Sequence, residues 1–235
     1  MSYSYPGSEK ETLKDINFKL ISGKTTAIIG GTGSGKSTIL NLIPRLQDVT
    51  DGEILIDGVN IKEFNLKVLR DKISFTPQEA ILFQGTVKSN MQTGKRDATD
   101  DEIKNALNLA QADFIEDIEQ EVAQGGSNFS GGQKQRLSIA RAIINSHDFY
   151  LFDDCFSALD MNTEAIVKSN LDNIAQNSSI LFVSQRISTI KDADEIIVLD
   201  NGEIIDKGLH EDLIDRCEIY SEIASSQMED SSCHL

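Results

Sequence analysis

The stretch Gly30-Gly31-Thr32-Gly33-Ser34-Gly35-Lys36-Ser37 constrains this chain more than any other. A glycine, a four-residue spacer and Gly-Lys-Ser form the pattern of a phosphate-cradling loop. The apolar run Thr26-Ala27-Ile28-Ile29 precedes it, and Ile39, Leu40, Ile43 and Leu46 follow at helical spacing. The loop is therefore expected between a strand and a helix, the context that gives the pattern its meaning. Glycines open backbone angles closed to other residues, so successive N–H groups can face an anion. The start of the helix adds a partial positive charge. Lys36 is placed to reach the β- and γ-phosphates, and the Ser37 hydroxyl to coordinate Mg²⁺. Thr38 supplies one further hydrogen bond to phosphate. A chain with this loop binds a nucleoside triphosphate.

The rest of the composition narrows the setting. The 235 residues, 39% of them hydrophobic, suffice for one sizeable globular domain with a subdomain. Lys and Arg number 22 against 38 Asp and Glu, leaving a net charge of −16. That balance argues against a nucleic-acid surface and against a polybasic membrane anchor. No apolar run approaches the roughly eighteen residues that span a bilayer, and nothing resembles a signal peptide. Cys155, Cys217 and Cys233 make an odd count without CxxC spacing, and read as reduced cytosolic thiols.

Along the chain, Tyr3, Tyr5, Ile16, Phe18 and Leu20 alternate with polar residues as in strands. Glu53–Gly58 reads as a second β pattern with a turn at Asp57-Gly58, and Ile73–Thr76 as a strand stopped by Pro77. Thr99-Asp100-Asp101-Glu102 is a capping box before a helix carrying Ile103, Leu107 and Ala110, and nothing in it suggests chemistry. After residue 148 apolar runs at 149–152, 180–183 and 196–199 alternate with a helix near 165–174. The expected fold is α/β: a mixed or parallel doubly wound sheet, an N-terminal antiparallel β subdomain and a helical insert at about 79–145. One domain is expected over 1–228, with 229–235 a disordered tail or a remnant of cloning.

Two further constellations carry chemistry. Phe149–Phe152 ends in Asp153-Asp154. In chains with this loop such a strand lies beside it, its first acid holding Mg²⁺ and the next position orienting the attacking water. In Asn128-Phe129-Ser130-Gly131-Gly132-Gln133, Ser130 and Gln133 form a capping box for a helix bearing Leu137, Ala140 and Ile144. Capping does not account for two glycines in a first turn, each costing about 1 kcal/mol relative to alanine. A phosphate approaching the bare helix start does.

The loop, Gln78 in Thr76-Pro77-Gln78-Glu79, Phe129–Gln133, the acid-ended strand and Ser157-Ala158-Leu159-Asp160 occur in one order. Over roughly residues 1–215 this resembles the nucleotide-binding domains of ABC transporters. Leu82–Val87 and Gln120–Gly126 look like exporter rather than importer sequences. The resemblance implies ATP and Mg²⁺, with the metal held by Ser37, Gln78 and Asp153. It places Tyr5 on the adenine and gives Gly30 through Thr38 to the phosphates. It assigns hydrolysis to Lys36, Gln78, Asp154 and Gln185. It also implies a head-to-tail dimer, in which Ser130, Gly132 and Gln133 serve the partner's nucleotide. Phe83 then either faces the loops of a membrane domain or is core.

Five positions depart from the family pattern. Asp154 stands where a catalytic Glu is usual, Cys155-Phe156 where Pro-Thr is usual, Gln185 where the switch His is usual, and Gln124 where exporters usually carry Glu. The shorter carboxylate displaces the water-activating group by about a bond length, which can cost about a hundredfold. Gln185 can bond a γ-phosphate but cannot carry imidazolium charge. With the signature intact, the pattern resembles the degenerate half of a heterodimeric multidrug exporter: slow hydrolysis at its own site, with a non-identical partner. Met1–Tyr5 begins where the family would already be inside its first strand, which suggests a domain excised from a fused transporter; a separate ATPase subunit is the alternative. The implied place is the cytoplasmic face of the cell membrane, the isolated chain being soluble, with no nucleic-acid partner. The rival class is a soluble ABC-type module that senses ATP without transport. A kinase sharing only the loop leaves Phe129–Gln133 unexplained.

Overall fold

The computed structural model describes residues 1–8 and 10–232. The first strand, β1 (Thr25–Ile29), runs into the glycine loop and helix α1 (Lys36–Leu42). A hairpin of β2 (Leu55–Ile56) and β3 (Val59–Asn60) leads to α2 (Leu66–Asp71) and β4 (Ile73–Thr76). Next come β5 (Gly85–Thr86), α3 (Val87–Met91), α4 (Asp100–Leu109), β6 (Glu121–Val122) and α5 (Gly131–Ile143). The chain returns through β7 (Phe149–Asp153), α6 (Met161–Ile174), β8 (Ser179–Val183), α7 (Ile187–Ile190) and β9 (Glu195–Asp200). It closes with β10 (Glu203–Gly208), α8 (His210–Arg216) and α9 (Glu218–Ser232).

Six strands form one sheet in the order β10-β9-β1-β8-β7-β4, parallel except for the antiparallel edge strand β10. The acid-ended strand β7 is thus not a neighbour of β1; β8 lies between them. Alternation along each central strand feeds two cores. Ala27, Ile29, Tyr150, Phe152, Ile180, Phe182, Ile196 and Val198 face the helices. Ile28, Leu151, Leu181, Val183, Ile197 and Leu199 face α1, the β2–β3 hairpin and the opening segment. A parallel sheet covered on both sides must be apolar at every position, which is why these strands read as unbroken hydrophobic runs.

Local chemistry sets the boundaries. Asp57 and Gly58 both have positive φ, 51° and 81°, the geometry of a type I′ hairpin turn. Thr86, Thr99 and Ser130 each cap a helix in a reciprocal box. Helix α1 stops short of its sequence pattern: Arg45 turns left-handed at φ 51°, and Leu46 N donates back to Asn41 O at 3.0 Å. Leu46 is left exposed.

The opening segment is less regular than its alternation suggests. Ser2 pairs with Asp51 and Tyr3 with Leu13 as isolated bridges, and residues 17–20 form no ladder among the described residues. A groove of about 650 Å³ separates them from the β2–β3 hairpin, so they have no strand to pair with. Antiparallel structure is present instead in the β2–β3 and β5–β6 pairs. At the other end, α9 continues through residues 229–232, while 233–235, with Cys233, lie outside the described residues.

Candidate functional site

The glycine loop, the ends of β7 and β8, and the opening segment meet at the carboxyl edge of the parallel strands, where open α/β sheets bind ligands. A cleft of about 320 Å³ there is lined by Tyr5, Thr12, Thr32, Gly33, Gly35, Lys36, Ser37, Thr38, Gln78, Asp153, Asp154, Val183 and Gln185. Three loop residues do not line it. The Gly30 and Gly31 carbonyls accept from Lys36 Nζ at 2.8 and 2.7 Å, and Ser34 Oγ lies 3.4 Å from the same ammonium.

Two glycines are required by what surrounds them. A Cβ on Gly30 would stand 2.0 Å from the Leu199 carbonyl oxygen. Gly35 caps α1 at φ 107°, with no side chain taking up the amides of the first turn. From the far edge of the sheet, Gly202 N donates to Ser34 O at 3.1 Å and braces the loop. The uncapped helix start and a buried lysine leave the loop a cation with no carboxylate at ion-pair distance among the described residues. Lys36 is only 8% exposed and forms no ion pair among the described residues. Burial pulls its pKa down, partly offset by Asp153 and Asp154. A phosphate supplies the missing anion, so the residues present fit a triphosphate.

The two carboxylates occupy different surroundings. Asp153 ends β7 beside the Ser37 side chain. Burial raises its pKa, the nearby Ser37 hydroxyl opposes the rise, the neighbouring Asp154 adds to it, and Lys36 opposes it. Asp154 sits at φ 43°, unusual outside glycine, its amide donating to Val183 O at 2.8 Å. Burial raises its pKa too, and the Arg186 charge is the largest opposing influence. Ser184 Oγ and Gln78 Nε2 lie 3.4 and 3.5 Å from its carboxylate oxygens, too long for strong bonds. Ser37 hydroxyl, Gln78 amide and Asp153 carboxylate form a set of hard oxygen donors suited to Mg²⁺, which keeps several waters and needs few protein ligands. Gln185 is exposed at the cleft wall. The Tyr5 ring stands at the rim, its hydroxyl sharing a 3.1 Å hydrogen bond with Thr38 and its edge on Tyr3.

Ser130, Gly132 and Gln133 are not part of this cleft. Ser130 Oγ accepts from Gln133 N, and Gln133 Oε1 from Ser130 N, capping α5. The two glycines differ. A Cβ on Gly132 would lie 2.7 Å from the Ala158 carbonyl oxygen, whereas one on Gly131 would meet nothing closer than 3.8 Å. Close packing inside the chain therefore accounts for Gly132, and only Gly131 is left needing an outside explanation. The buried Gln135 ties α5 to the same loop, accepting from Ala158 N at 3.0 Å.

Phe83 is 55% exposed beneath the Arg141 guanidinium, which removes the core reading. Its backbone N–H and carbonyl are both bonded to the buried Asn90 side chain, at 2.8 and 2.7 Å, so the exposed ring is held by the chain beneath it. Sequence reasoning missed Thr12, Ser184 and Arg186. Nothing local to Thr12 marks it; Ser184 and Arg186 flank Gln185, so the switch segment itself was the available signal.

Residues 13–157 match the ABC transporter family. An uncharacterized ABC transporter ATP-binding protein of Mycobacterium tuberculosis is 46% identical over 232 residues, 96% of this chain and 40% of that protein. A putative multidrug export ATP-binding/permease protein of Staphylococcus aureus is 44% identical over 97% of this chain and 40% of its own length. The chain thus spans about two fifths of the length of these curated relatives. Among solved structures, a bacterial Atm1-family ABC exporter with ATP bound superposes with a TM-score of 0.92, at 36% identity, over 96% of this chain and 41% of that one. Identity sustained over nearly every residue, on a superposable fold, leaves one assignment: the chain belongs to the ABC transporter family, as an ATP-binding domain of the exporter type.

Proposed function

We propose that the chain binds Mg·ATP as the energy-coupling domain of a membrane exporter, hydrolyses it slowly at its own site, and completes the site of a non-identical partner. The observation that carries this reading is the composition of the cleft. The groups suited to gripping a triphosphate line or brace it, and Asp154 and Gln185 share its wall, which supports a water-activating role for the first and a phosphate-sensing role for the second. Lys36 and the loop amides bind the phosphates, Thr38 adds a hydroxyl, and Tyr5 at the rim stacks on the base. Ser37, Gln78 and Asp153 would hold Mg²⁺, which neutralises charge on the β- and γ-phosphates when bound. Asp154 is one methylene short of the water that a glutamate would reach. Gln185 orients the terminal phosphate without adding charge.

Ser130, Gly132 and Gln133 lie outside the lining of this cleft, an arrangement suited to a second nucleotide held by another chain. Gly131 leaves the space that such a phosphate needs. The held, exposed Phe83 suits contact with a membrane-spanning domain, which would place the chain at the cytoplasmic face of the membrane. No helix among the described residues is long and apolar enough to cross a membrane. The test is ATP turnover by the chain alone, with its cognate partner, and as the Asp154→Glu/Gln185→His variant. Turnover should be slow alone and rise with the partner. The double substitution should raise it at least tenfold under dimer-forming conditions, since misplacing a reacting group by about 1 Å costs on the order of a hundredfold. Unchanged turnover with intact ATP binding refutes the blunted site.

A further inference from the structure

Gln185 reaches the cleft from the short loop between β8 and α7. Ser184 N donates to Ile28 O at 3.2 Å, and Arg186 N to Ser184 Oγ at 3.0 Å. Two polar backbone groups beside Gln185 are taken by one side chain from far down the sequence. Gln227 Nε2 donates to the Gln185 carbonyl at 2.6 Å, and Gln227 Oε1 accepts from Ile187 N at 2.9 Å. A carboxamide offers a donor and an acceptor side by side, which suits a carbonyl and an N–H two residues apart.

The grip has firm supports on both sides. Helix α9 is anchored by Tyr220 and Ala224, both buried in the helix-side core. Helix α7 is one turn long and has no side-chain cap from Arg186, so Gln227 meets its first amide. The Arg186 guanidinium is occupied elsewhere, donating to Phe156 O at 2.7 Å and to Glu164 Oε2 at 2.6 Å. Backbone and neighbour are thereby fixed, while the Gln185 side chain remains on the cleft wall.

We propose that Gln227 is a positioning residue: its carboxamide fixes the backbone of Gln185, and so sets how Gln185 meets the terminal phosphate of bound nucleoside triphosphate. The C-terminal helix then becomes a mechanical input to the site, since any shift of α9 moves the switch loop. This rests on the reading of Gln185 given above.

The test compares Gln185→Ala, Gln227→Ala and the double variant in the full chain, measuring Kd for Mg·ATP and Mg·ADP. If Gln227 acts through Gln185, each single substitution lowers the preference for ATP over ADP about three- to tenfold, the loss of one or two hydrogen bonds. The double variant loses no more than either single one, and ADP affinity stays within about twofold. Hydrogen exchange in residues 184–190 should quicken in Gln227→Ala and not in Gln185→Ala. Should Gln227→Ala fold poorly, Gln227→Glu keeps the acceptor for Ile187 and sets a carboxylate against the Gln185 carbonyl, and the same loss of preference is expected. Equal weakening of ATP and ADP, additive losses, or full ATP preference in Gln227→Ala beside a loss in Gln185→Ala overturns the positioning role alone. A silent Gln185→Ala overturns the phosphate-sensing reading and this one with it.

Discussion

Lys36 Nζ donates to the Gly31 carbonyl at 2.7 Å, so the loop's own backbone solvates the cation that a triphosphate must capture. Lys36→Met removes the charge and keeps the packing stem. ATP affinity should fall about ten- to a hundredfold, the worth of a charge-assisted bond, as read by nucleotide titration. Stability should not fall. Burial depresses the lysine's pKa, so the unfolded chain binds more protons between the folded value and 10.5. Stability of the parent chain therefore rises with pH across that window, and the Met variant lacks that rise in a denaturation series.

Asp153 titrates the other way. Burial raises its pKa, so the folded chain binds more protons above the ordinary value of 3.8, and ionisation lowers stability as pH climbs through that window. Asp153→Asn should match or exceed the parent in Tm at pH 7, with the gap closing below pH ~4. Its ATP affinity should be lower and indifferent to EDTA, whereas the parent loses affinity when Mg²⁺ is chelated. A Mg²⁺ response retained by the Asn variant would remove Asp153 from the metal site.

The signature glycines should separate under substitution. Gly131→Ala meets only ordinary contact, and in a first helical turn it should stabilise by up to about 1 kcal/mol. Gly132→Ala drives a Cβ into the Ala158 carbonyl and should destabilise by about 1–3 kcal/mol. Denaturant unfolding of the two variants gives opposite signs if this packing is correct. Gly131→Ala should still impair the partner's turnover if a phosphate occupies that space.

Glu164 is 6% exposed and bonds both Arg186, at 2.6 Å, and Thr189 Oγ1, at 2.5 Å. Glu164→Ala takes the carboxylate from the Thr189 hydroxyl and leaves the Arg186 guanidinium only its bond to the Phe156 carbonyl. With the Arg186 side chain about a third exposed, the cost should sit at or below the low end for broken buried pairs, about 3 kcal/mol. Equilibrium unfolding checks the value, and a change under about 0.5 kcal/mol would show that solvent replaces the carboxylate.

Legibility in the sequence followed the range of each interaction. The turn at Asp57-Gly58 and the caps at Thr99 and Ser130 were readable because each is completed within four residues. The alternating opening was readable as a pattern but not as a ladder, since pairing depends on a second strand placed by the fold. Leu46 kept helical spacing beyond the helix because periodicity does not register a left-handed residue such as Arg45. The packing need for Gly132 was not legible, because the Ala158 carbonyl that excludes a Cβ there is brought beside it only by the fold.

What the sequence determined by itself is the chemistry: an anion-binding loop, a lysine, a serine, paired acids, a capped signature and two unusual residues where a glutamate and a histidine are customary. The loop, the paired acids and the helix cap are properties of residue type and short spacing, while the roles of Asp154 and Gln185 are read only by resemblance to the family. The tertiary structure decided which of them share a cleft, that β8 comes between β1 and β7, and that Gly202 and Gln227 reach back to hold the loops. Such contacts join positions far apart in the chain, and only the folded sheet brings them within hydrogen-bond distance.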